Sequence, residues 1–145
     1  MKIKVMLLAV LITIFQPVNA EEDISDFGKE LAICSAKFET TSEIFRKIGD
    51  EKLSEKLKDK SHGFLIASVA SYLTDGVSRK VASSATKGDL AIALSKLTLN
   101  YESIVKSGDQ EQFKEFLNVL LSDIEKCAAY NNYVDKSIKI MKKSL

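Results

Sequence analysis

The chain is poor in the residues that metal and nucleophile chemistry draws on. Its 145 residues include one histidine, His62, and two cysteines, Cys34 and Cys127. A structural zinc site takes four such ligands, so metal binding by that route is disfavoured. No Cys-x-x-Cys occurs, which argues against thiol–disulfide exchange. The six glycines stand singly, and no glycine-rich phosphate loop is present. Charge of one sign is missing as well. With 21 Lys plus Arg against 20 Asp plus Glu, no field directs the chain to nucleic acid or an anionic membrane. At 46% hydrophobic and 28% charged, the composition excludes a disordered tail, a collagen-like fibre and a multi-pass membrane protein. No segment longer than four residues alternates with period two, so no sheet is expected.

What is present begins with an address. Lys2 and Lys4 precede residues 5–15, all apolar except Thr13, and Val18-Asn19-Ala20 then offers small residues where signal peptidase requires them. Eleven helical residues reach about 17 Å, short of a hydrocarbon core of about 30 Å, so a stable membrane anchor is not expected. An uncleaved anchor is the competing reading. Residues 1–20 read as a signal peptide and residues 21–145 as a single helical-bundle domain, exported and periplasmic, with secretion as the alternative. The only proline, Pro17, leaves with the leader, and a proline-free chain suits long helices.

Export makes a disulfide the default for the two cysteines. The link would close 93 residues and stabilise by up to about 4–5 kcal/mol on the chain-entropy estimate. Two buried thiols or an intermolecular bridge are the alternatives.

Apolar residues step by four and three from Phe27 through Leu31, Cys34, Phe38, Thr41 and Phe45 to Ile48, three heptads of helix closed by Gly49. Glu21, Glu22, Asp23 and Asp26 crowd its start, and Arg46 and Lys47 its end, as the helix dipole favours. A second helix spans residues 50–74, with Asp50 placed to cap it and Asp75-Gly76 to end it. It is anchored early by Leu53 and Leu57 and broadly apolar from Phe64 to Leu73. Residues 77–87 read as helix or loop, and Gly88-Asp89 as a break and a fresh cap. Leu90, Leu94, Leu97, Tyr101 and Ile104 then form a helix closed by Ser107-Gly108-Asp109. Phe113, Leu117, Leu120, Ile124, Cys127, Asn131, Val134, Ile138 and Met141 read as one last helix, with Asp109 and Gln112 placed as a capping box. The expected fold is all-α: an antiparallel four-helix bundle, or five helices if residues 77–87 form their own. Counting from the helix ends, a Cys34–Cys127 bond would staple the first and last helices side by side, antiparallel and nearly flush.

Few constellations suggest chemistry. Asp59-x-x-His62 offers two ligands on one face, without the second histidine that a di-metal carboxylate site needs. A Ser-His-Asp triad lacks a nucleophile elbow. No catalytic residue, metal ligand or cofactor is expected. Lys136, Lys139, Lys142 and Lys143 form a basic end that complements the helix dipole, with anionic lipid or an acidic partner as the other reading. Tyr130-Asn131-Asn132-Tyr133 is the least ordinary cluster. Asn131 falls in an apolar seam, where one polar residue can fix register. Tyr130, Asn132 and Tyr133 are the candidate partner-binding residues, and residues 77–89 are a second candidate surface.

Around the cysteines, residues 31–37 (Leu-Ala-Ile-Cys-Ser-Ala-Lys) and 126–130 (Lys-Cys-Ala-Ala-Tyr) resemble the two cysteine-bearing helices of helical periplasmic immunity proteins. Members of that family protect bacteria against cell-wall amidases delivered by type VI secretion. No residue of 50–110 aligns with the family, so its inhibitory loop has no position here. The resemblance implies a protein-binding inhibitor whose partner is an envelope-acting toxin or hydrolase. The expected function is thus non-enzymatic binding of a partner protein in the envelope. A carrier of a small apolar ligand is the alternative, although Phe27, Phe38, Phe45, Phe64, Phe113 and Phe116 are enough to fill the core. A small envelope enzyme is the third reading.

Overall fold

In the computed structural model, which describes residues 26–143, α1 (Asp26–Lys47) is the axis of the molecule. Eleven of its 22 residues are buried, more than one apolar stripe accounts for, because α1 packs against three other helices. These are α2 (Glu51–Thr74), α3 (Arg79–Ser107) and α4 (Gln110–Cys127). A 3-10 turn (Ala128–Tyr130) and α5 (Asn131–Lys143) complete the described chain, which contains no strand. The expected leader, residues 1–20, lies outside the described residues, as do Glu21, Glu22 and Asp23.

The α1–α2 seam is built from small residues rather than large ones. Gly28, Ser35 and Ser42 recur every seven residues on α1, and Ser54, Ser61 and Ser68 do so on α2. One antiparallel register joins all three pairs. The Ser35 hydroxyl donates to the Ser61 carbonyl at 2.9 Å, that of Ser42 to the Ser54 carbonyl at 2.8 Å, and that of Ser68 to the Gly28 carbonyl at 2.7 Å. Small side chains let the backbones approach, and each buried hydroxyl finds an acceptor that offsets its desolvation. At Gly28 the fit is closest, since a Cβ would lie 2.9 Å from ring atoms of Tyr72.

Large side chains fill the two flanking clusters. Leu31, Phe38, Leu57 and Phe64 pack with the bridged cysteines, and Ile44 packs with Phe116 and Leu120. All six phenylalanines expected in the core belong to or pack against these clusters.

Cys34 and Cys127 are bonded, with Cα atoms 5.8 Å apart and 93 residues between them in sequence. Free thiols and an intermolecular bridge are thereby set aside. From the bridge α1 and α4 run antiparallel: Lys37 pairs with Asp123 at 2.8 Å, and Ile44 meets Phe116 and Leu120. The helix ends expected at Gly49, Asp75-Gly76 and Gly108 are where the structure has them.

Two expectations are corrected. Residues 79–87 are helical but not a separate helix, and Val77 and Ser78 precede them outside it. Gly88-Asp89 is not a break: α3 runs through both from the N-cap Ser78. A helix-interior glycine costs about 1 kcal/mol. Buried Ala82 and Thr86 before it, and Leu97, Tyr101 and Ile104 packed beyond it, outweigh that cost. Asp89 does not cap, because its carboxylate accepts the Tyr72 hydroxyl at 2.5 Å. The second correction is at the other end. The last helix is not continuous, because after Cys127 the chain tightens into the 3-10 turn and α5 lies on α2. Gly63 receives it there: a Cβ at that position would come within 3.1 Å of Val134. The capping box at Asp109 is half made. Its carboxylate accepts from the Glu111 and Gln112 amides, while its own amide donates to the Ser107 hydroxyl.

Candidate functional site

The redirected α5 decides where the candidate partner-binding residues stand. Tyr130 and Tyr133 are half-buried and clamp the Phe27 ring edge-on, with centroids 5.3 and 5.0 Å away. The Tyr130 hydroxyl donates to Glu30, a bond that raises the phenol above its usual range. Both rings therefore fasten the start of α5 to the start of α1. Asn131 is half-buried and accepts from Lys60 of α2 at 3.3 Å, a tie to α2 rather than a register lock along α1. Asn132 is exposed.

Asp59 and His62 are both exposed on α2. Among the described residues, no three or more His, Cys, Asp or Glu side chains gather where they would hold a metal. The Ser61 hydroxyl donates to Glu39 at 3.1 Å within the α1–α2 seam. Burial first, and the bond to Asp89 second, hold the Tyr72 phenol well above its ordinary range. The Lys37 ammonium, hydrogen-bonded to Asp123, keeps that carboxyl below its own.

An open groove of about 440 Å³ lies between α2 and α5. Ala70 and Leu73 of α2 and Tyr133 and Met141 of α5 line it, with Arg79 from the start of α3 and Lys136 on its borders. It thus brings together one of the candidate tyrosines and the 77–89 segment. Neither Arg79 nor Lys136 has an ion-pair partner within 4 Å among the described residues. Lys139, Lys142 and Lys143 are exposed along the same helix, against a single acid, Asp135. An apolar floor with unpaired cations suits a segment that is aliphatic or aromatic and acidic. Gly63, a glycine inside a helix, is a sequence hint that another segment packs closely on α2, but it does not line the groove itself.

A second groove, of about 300 Å³, lies between α1 and α3 over Ile33, Ile92 and Leu97, with Lys29, Lys96 and Asp89 among its lining residues. No helix among the described residues is long and apolar enough to cross a membrane. Compared with protein-family models, curated proteins and solved structures, the chain has no significant match.

Proposed function

We propose that the protein is a non-enzymatic, exported helical module that binds another protein in the cell envelope, as an immunity or inhibitor protein does. The observation that carries this reading is the α2–α5 groove, lined by Tyr133 and Met141 and by Arg79 and Lys136, neither of which has an ion-pair partner among the described residues. Binding of this kind needs a rigid frame and one presented surface, because little ordering entropy then opposes association. The Cys34–Cys127 bond supports the first requirement and the groove the second. The leader-like residues 1–20, with a disulfide that an oxidising compartment would maintain, favour the periplasm. The groove is only partly enclosed, whereas small-ligand sites bury most of their ligand's surface. This weighs for a protein segment over a carried apolar molecule.

The test is co-purification from an envelope extract. One stoichiometric protein is expected with the wild type, bound at least tenfold more weakly by the Arg79→Glu/Lys136→Glu variant and equally by Asp59→Ala/His62→Ala. Loss of function in the latter variant would revive catalysis. A retained small molecule with no protein would favour the carrier.

A further inference from the structure

The solvent side of α3 carries exposed charges at Lys80, Lys87, Lys96, Glu102 and Lys106, but one stripe between them carries none. On the first half of α2, the exposed positions include Lys52, Glu55, Lys56, Asp59 and Lys60. On α3, steps of four and three along its outer side meet Val81, Ala85, Gly88, Ile92, Ser95 and Leu99. Half-buried Ala85, and Ile92, which also lines the α1–α3 groove, stand at the edge nearer α1. Val81 is 50% exposed, Ile92 59% and Leu99 65%, while Gly88 and Ser95 are exposed between them. The uncharged stripe, from Val81 to Leu99, rises about 27 Å along the helix. Interspersed small residues fit this stripe for close approach by another helix, as the α1–α2 seam already does within the molecule.

We propose that the occupant of this stripe is α3 of a second copy, antiparallel to the first about a two-fold axis level with Leu90. That register sets Val81 against Leu99, Ala85 against Ser95, and Gly88 against Ile92 of the other copy. The largest central side chain thus meets the residue with none, and β-branched Val81 meets Leu99 at either end, which is the self-complementarity a two-fold interface requires. Charge agrees at the flank. Lys80 of one copy falls within a turn of Glu102 of the other on the same side of the pair, and both are exposed. A helix pair of this length covers on the order of 1,000 Å² in total, the lower edge of specific interfaces, so a reversible dimer is expected. The stripe lies on a different side of α3 from Arg79, and the pairing stands whether or not the α2–α5 groove binds a protein.

Sedimentation of the purified protein across micromolar to submillimolar concentrations tests this. A monomer–dimer equilibrium is expected, shifted at least tenfold towards monomer by Ile92→Lys or Leu99→Glu with helicity and the native disulfide retained. A cysteine test reads the register independently. Val81→Cys protein mixed with Leu99→Cys protein should form a linked heterodimer on oxidation, and Val81→Cys protein alone should not link to itself. A monomer throughout the range, a dimer indifferent to both charge substitutions, or Val81→Cys linking to itself would overturn the proposal.

Discussion

Gly28 shows how much one residue decides. An alanine in mid-helix usually stabilises by up to about 1 kcal/mol over glycine. Here the added Cβ would press on the Tyr72 ring, which is buried and tethered to Asp89. Gly28→Ala is therefore expected to destabilise by about 1–3 kcal/mol in urea unfolding, the cost of overpacking a closed site. Tyr72 carries a second consequence. Its folded-state pKa lies above the unfolded value of about 10, so the folded form holds the proton more tightly. The stability this provides is complete below pH 10 and is lost as pH rises above it. The urea midpoint of the wild type should fall more steeply between pH 9 and 11 than that of Tyr72→Phe. Equal slopes would mean that the phenol is not held this way. None of this was legible from the sequence. The large residues at Leu31, Cys34 and Phe38 announce a seam, whereas the small ones at Gly28, Ser35 and Ser42 read as filler until a partner helix with the same spacing lies against them.

At the scale of elements, caps and heptads were legible because they are local. The Gly49 and Gly108 stops, the Asp50 and Asp109 caps and the first two helices depend on neighbours within a few residues. The two misread places depend on distant ones. At Gly88 the burial of Ala82 and Thr86 on other helices outweighs a weak local preference. After Cys127 an unbroken periodicity is redirected, because Tyr130 and Tyr133 close on Phe27 and Val134 settles at Gly63. If α3 is continuous, Gly88→Ala in dilute protein should raise stability by about 0.5–1 kcal/mol, since nothing lies within 4 Å of the added methyl. No gain, or a loss, would indicate a break there. Reduction of the Cys34–Cys127 bond should lower stability by up to about 4–5 kcal/mol, measured by unfolding with and without reductant. A change near zero would mean that α4 is held to α1 by packing alone.

For the whole molecule, the disulfide and the small-residue seam fix α1, α2 and α4, while α5 and the outer side of α3 carry the two surfaces for which binding is proposed. The fold class followed from periodicity and the cysteine pair. The α2–α5 groove did not, because it exists only where the last helix turns away from α1. Site-specific photocrosslinking in intact cells is the most direct test of the central claim that this groove receives a partner protein. With a benzophenone side chain in place of Met141, one protein adduct of defined mass is expected, and none with the same side chain in place of exposed His62. An adduct at His62 and none at Met141 would contradict it.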